Sequence, residues 1–342
     1  MMPIHRKHEK AAVTGGRPAR GMRHRLRRSA RLLVCAGLLI AQACSVTEAK
    51  PVAWHEDMQC SSVAPRPDRD GALKEEVLST PNGSIGYFRF GHGSPIVLIT
   101  GYRATVAEWN AYFLAALAKH HEVIVFDNRG IGQSQAHNAS YTARDLAGDT
   151  VALIRGLNLK HVTVLGWSMG GIVAQQLAID EPDLVSKLVL LSSVPPGPRA
   201  ALPTASVNEV LSGSGDGHFE RVMAVLFPPS AVESAQSCFL DDMFTPAGYA
   251  EPAVPANVTR AQETLMQRWK QDSRALRQLD RVTVPTLVLA GTNDQVLWPR
   301  NAVLLSHALP YATLVEVNNG GHAMMYQYPY QLAGRIDTFI AR

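Results

Sequence analysis

From about residue 75 onward, short uninterrupted apolar runs alternate with longer stretches in which apolar residues recur every three or four positions. The runs at 95–100, 122–126, 161–165, 187–191 and 286–290 are rich in Val, Ile and Leu. Runs without a polar alternate predict strands buried on both faces. Further strands are predicted at 75–80, 84–90 and 313–317, and Pro81-Asn82-Gly83 joins the first two as a hairpin. Helical periodicity marks 106–120, 142–156, 169–179, 299–308 and 328–340. Strands alternating with helices predict an α/β class: a mostly parallel eight-stranded sheet flanked by helices on both faces.

One interval breaks the rhythm. Roughly ninety residues separate Ser193 from the strand at 286, where a single crossover needs far fewer. The interval begins Pro195-Pro196-Gly197-Pro198 and contains helical runs at 219–226 and 261–279. It predicts a helical lid, residues 196–280, inserted after the sixth strand. The core is then 71–195 together with 281–342. Two roles are open to the lid's Met223, Leu226, Phe227, Phe239, Met243, Phe244 and Trp269: lining an apolar pocket, or packing the lid itself.

The amino-terminal region has a different composition. Residues 1–44 hold ten Lys or Arg against Glu9 alone, which leaves 23 basic and 28 acidic residues in the rest of the chain. The formal charge of +4 therefore says nothing for nucleic-acid binding by the folded part. A basic stretch from Arg23 to Arg31, the apolar run Leu32–Ala41 and the small-residue box Ala41-Gln42-Ala43 predict an export signal, with Met1 or Met22 as its start. Cys44 follows the box directly, an ending that resembles a bacterial lipoprotein signal. Lipidated Cys44 with membrane association, or plain cleavage and secretion, are the two outcomes. Residues 45–70, with several prolines and no periodicity, predict a linker. Cys60 and Cys238 remain as a disulfide pair or as two free thiols. No Cys or His cluster has zinc spacing, and Gly91-His92-Gly93 lacks the rest of a dinucleotide fingerprint, so neither metal nor cofactor is implied.

The chemistry centres on Gly166-Trp167-Ser168-Met169-Gly170. A strand is predicted before it and a helix after it, the context of a nucleophile elbow. Ser168 there stands clear of the sheet at a helix N-terminus, which favours developing negative charge. A nucleophilic serine needs a base and an acid that orients the base. Asp294 follows the strand at 286–290 through Gly291-Thr292-Asn293, and His322 follows the strand at 313–317 through Asn318-Asn319-Gly320-Gly321. Both stand past strand carboxyl ends, the edge where open α/β sheets place their sites.

These motifs, with Asp127-Asn128-Arg129-Gly130 after the fourth strand, occur in the order found in the α/β-hydrolase fold superfamily, which the chain resembles from about Glu75 to Ile340. The resemblance implies Ser168 as nucleophile, His322 as general base and Asp294 as its orienter. It implies an oxyanion hole from the backbone N–H groups of Met169 and Tyr102, with Gly101 and Trp167 next to substrate. Thr100 stands where many relatives have histidine, so the loop's details are its own. Asp127 to Gly130 is expected to shape a turn and an ion pair. The implied activity is hydrolysis of a small-molecule ester. Peptidase or amidase, C–C hydrolase, cofactor-free haloperoxidase and a non-catalytic binding protein remain alternatives on the same fold. Oligomeric state is not implied.

Overall fold

A computed structural model of the chain describes residues 50–60, 64–69, 71–137 and 141–342. The stretch predicted as an export signal, Cys44 included, lies outside the described residues. In chain order the elements are β1 (Glu76–Thr80), β2 (Gly83–Gly91), β3 (Ser94–Ile99), α1 (Ala111–Ala118), β4 (His121–Phe126), α2 (Ala143–Gly156), β5 (Val162–Trp167), α3 (Met169–Asp180) and β6 (Val185–Leu191). They continue with α4 (Ala205–Ser212), α5 (His218–Leu226), α6 (Val232–Asp242), α7 (Ala256–Gln271), α8 (Ser273–Leu279), β7 (Thr286–Gly291), α9 (Arg300–Ala308), β8 (Ala312–Val317), α10 (Met324–Gln327) and α11 (Pro329–Ile340).

The strands form an eight-stranded sheet in the order β1-β2-β4-β3-β5-β6-β7-β8. β1 and β2 pair antiparallel, as do β2 and β4, and every later pairing is parallel. Residues of β5 and β7 are buried throughout, as uninterrupted apolar runs require. The chain crosses from β3 to β4 in one direction and from β4 to β5 in the other. Right-handed crossovers then put α1 and α2 on opposite faces of the sheet. The reversal opens a crevice at the carboxyl ends of β3 and β5, the place where such sheets bind ligands.

Between β6 and β7 the expected insertion is helical, but its divisions differ from the sequence reading. The run 261–279 is two helices, α7 and α8, because Asp272 breaks the first and caps the second by accepting from Ala275 N at 2.8 Å. α4 and α6 were not predicted. Likewise, 106–120 is not one helix: a 3₁₀ turn at Val106–Glu108 precedes α1, which Asn110 caps by accepting from Phe113 N.

The predicted linker at 45–70 needs correction. Of that stretch, the described residues 50–60 and 64–69 belong to one compact unit with the rest of the described chain. Val52 bridges Val317 beside β8, Arg66 and Asp68 are buried as an ion pair, and Cys60 forms a disulfide with Cys238 on α6. Trp54 and Met58 pack on the core, but the other anchors of this arm are polar bonds and a covalent bridge, so it carries no regular apolar periodicity for a sequence to display.

Candidate active site

Ser168 sits between β5 and α3 at φ 57° and ψ −121°, a backbone conformation that costs a serine about 1–3 kcal/mol. Glycines make the turn possible by close approach. A Cβ on Gly166 would run into the Gly170 carbonyl, and one on Gly170 into the carbonyl of Ile99 on β3. The Ser193 hydroxyl donates to the Ser168 carbonyl at 2.9 Å and steadies the turn from the neighbouring strand end.

β7 and β8 deliver the other two side chains. His322 Nε2 lies 3.0 Å from Ser168 Oγ, and His322 Nδ1 lies 2.9 Å from Asp294 Oδ2. Val296 N and Leu297 N donate to Asp294 Oδ1 at 2.9 and 2.8 Å, which aims the second oxygen at the imidazole. All three residues are buried. Ser168 thus meets Asp294 and His322, each more than a hundred positions further along the chain, as a Ser–His–Asp relay. Trp167 Nε1 donates to the His322 carbonyl at 3.1 Å, so this residue supports the histidine loop as well as lining the cavity.

The loop after β3 passes on the other side of the serine. A Cβ on Gly101 would stand 3.3 Å from Ser168 Cβ, so any side chain there would push the loop and the serine apart by a few tenths of an ångström. Met169 opens α3, where first-turn N–H groups have no intrahelical partner. The Tyr102 hydroxyl donates to Glu263 on α7 at 2.7 Å, and burial, ahead of Glu263, holds that phenol well above its ordinary range. The Asp127–Gly130 turn has the expected structural role: Arg129 makes a two-pronged pair with Asp149, and Asp127 accepts from Val106 N and the Tyr249 hydroxyl.

Ser168 and His322 open into a cavity of about 370 Å³. Of the seven insertion residues singled out from the sequence, Met223, Leu226, Phe239 and Met243 line it, whereas Phe227, Phe244 and Trp269 are buried in packing. Both open roles are therefore filled, by different residues. Sequence reading missed two acidic residues in the cavity lining, Glu108 and Glu251. Thr105 donates its N–H and hydroxyl to Glu108, which closes a capping box. Burial, then the Glu251 charge, pushes the Glu108 carboxyl up to about 8. Thr105-x-x-Glu108 is the capping signature that would have revealed the turn, though not its place in the cavity.

The comparisons agree with this geometry. A protein provisionally named carbamate hydrolase RutD, from Pseudomonas savastanoi pv. phaseolicola, is 29% identical over 230 residues, covering 67% of this chain and 86% of its own. A hydrolase structure from Pseudomonas aeruginosa PA01 superposes with a TM-score of 0.63 at 25% identity, covering 80% of this chain and all of its own. The enol-lactonase of Burkholderia xenovorans LB400 has the same fold, with a TM-score of 0.63 at 21% identity and coverage of 78% and 100%. Residues 94–329 match the family described as alpha/beta hydrolase fold, and with its relay at the sheet's carboxyl edge this chain is a member of that family and a hydrolase.

Proposed function

We propose that the protein is an exported serine hydrolase that cleaves a carboxylic ester through an acyl-Ser168 intermediate. The observation that carries the reading is the Ser168–His322–Asp294 relay opening into an apolar cavity. His322 Nε2 takes the hydroxyl proton as Ser168 Oγ attacks the carbonyl carbon. Asp294 holds the imidazole with Nδ1–H toward it and stabilises the imidazolium. The N–H groups of Met169 and Tyr102 receive the oxyanion, a contribution of about 3–4 kcal/mol for each donor in comparable enzymes. Collapse breaks the C–O bond, and His322 returns the proton to the departing alcohol. Water, activated in the same way, then releases the acid and restores Ser168.

An apolar wall with a few polar groups suits an acyl chain better than a peptide backbone, which would need a row of hydrogen-bonding partners. The names of relatives, a carbamate hydrolase and an enol-lactonase, are consistent with attack on an ester-like carbonyl. Export is supported by the signal-like amino terminus and by the Cys60–Cys238 disulfide, a bond that persists in oxidising compartments. Cys44 is then the anchor to the membrane if acylated, and the mass of the mature amino terminus decides between anchoring and release.

The test is labelling with a fluorophosphonate, followed by turnover of p-nitrophenyl esters from acetate to palmitate. Wild type is expected to label and to hydrolyse members of the series, and Ser168→Ala to do neither. Undiminished labelling of the variant excludes Ser168 as the nucleophile.

A further inference from the structure

The arm, described at residues 52–60 and 64–68, is bonded at two places to segments that build the site, while none of its described residues lines the cavity. Its first half grips the histidine loop. Val52 N donates to the Glu316 carbonyl and Asn318 N to the Val52 carbonyl, each at 2.8 Å. Glu56 accepts from Gln327 Nε2 at 2.7 Å, and Gln327 Oε1 in turn accepts from Gly321 N at 2.7 Å, one residue before His322. Its second half grips the end of α6. Cys60 is bonded to Cys238, and Gln59 N donates to Asp242. Arg66 donates to the carbonyls of Asp241 and Met243, and Asp68 accepts from Thr245 N.

The gripped segment is a wall of the catalytic cavity. Phe239, Leu240 and Met243 all line it, and Phe239 stacks on Tyr326 of α10 at 4.2 Å between ring centroids. Cys238 immediately precedes Phe239, and Arg66 holds the backbone of Met243 itself. Anchors thus stand at both ends of the lining stretch. Arg66 is itself fixed by Asp68 and lies over the Tyr112 ring of α1, so the grip is referred to the core.

We propose that this arm is a specificity element: by clamping α6 against the core it sets which acyl chain lengths reach Ser168, while taking no part in the chemistry. The inference rests on the acyl-cavity reading above. Cys60, Cys238 and Arg66 are positioning residues, and a short acyl group that stays beside Ser168 does not need the wall they hold.

The test compares wild type with the double variant Cys60→Ser, Cys238→Ser and with Arg66→Ala and Arg66→Lys, using p-nitrophenyl acetate and octanoate. The expected result is an octanoate KM raised about fivefold or more with kcat nearly unchanged, acetate constants within about twofold of wild type, and partial recovery in Arg66→Lys. A second readout needs no turnover: octanoic acid binding followed by the change in intrinsic tryptophan fluorescence, to which the cavity residue Trp167 contributes, expected to weaken by a similar factor. It separates failure of the arm from failure of the ester reading, since binding is scored even if no ester is cleaved. Equal losses at both chain lengths, or octanoic acid binding unchanged in the variants, overturns the proposal.

Discussion

The Asn128 side chain donates to Thr100 Oγ1 at 2.8 Å, joining the end of β3 to the turn that follows β4. Both residues are buried. This bond gives a physical role to the threonine that replaces a histidine common in the superfamily. It pins the strand end from which the Gly101–Tyr102 loop leaves toward Ser168. Thr100→Val keeps the shape and removes the hydroxyl, leaving the buried amide with the Thr100 carbonyl at 3.4 Å. The variant is expected to lose about 1–3 kcal/mol in urea unfolding.

Asp294→Asn separates orientation from packing. The replacement amide oxygen still accepts from Val296 N and Leu297 N, so the fold should hold. The amide nitrogen then faces His322 Nδ1 and favours the tautomer that leaves Nε2 protonated and unable to act as base. In triads of this kind the change costs about 10⁴ in kcat. Steady-state kinetics on a p-nitrophenyl ester, beside an unchanged thermal melt, checks it.

Glu108 and Asp127 make stability depend on pH. Burial, then the charge of Glu251, holds Glu108 up to about 8, and burial holds Asp127 up to about 7. Each keeps its proton in the folded chain over a range in which the unfolded chain has released it. The folded state therefore binds more protons there, and stability present at low pH is lost as pH rises toward the folded values. Melting temperature should fall from about pH 5 to about pH 8. Glu108→Gln keeps an acceptor for Thr105 without the ionisation. It should melt level with wild type near the acid end and about 2–4 °C above it at the alkaline end.

The disulfide closes a sequence separation of 178 residues. In the chain-entropy picture a loop of that size is worth about 5 kcal/mol. Urea unfolding with and without a phosphine reductant should show a loss of that order. A midpoint unchanged on verified reduction contradicts it.

Much of this molecule was legible because its strands are buried on both faces and its site lies where they end. The sheet's strands were bounded to within one or two residues, and Ser168, Asp294 and His322 were identifiable from elbow glycines and positions just past β5, β7 and β8. Position also separates the relay from a look-alike. His121 lies 2.9 Å from Ser94 Oγ and 3.1 Å from Asp337, but Ser94 and His121 begin β3 and β4, at the amino edge away from the cavity. What escaped sequence reading depends on distant partners. α6 packs on Tyr326 and the arm, and the arm is held by Arg66, Glu56, a disulfide and the isolated apolar contacts of Trp54 and Met58 in place of an apolar stripe. Glu108 was invisible as a cavity residue because its neighbour Glu251 comes from a segment more than a hundred residues away.

The central step of the proposed reaction is a bond between the substrate acyl group and Ser168 Oγ. Wild-type protein mixed with a p-nitrophenyl ester and acid-quenched on the millisecond scale is read by peptide mass spectrometry. An acyl mass increment on the peptide holding Ser168, absent from Ser168→Ala together with turnover, is the predicted result. Wild-type rates of ester hydrolysis by Ser168→Ala, or an acyl group found on a different residue, contradict it.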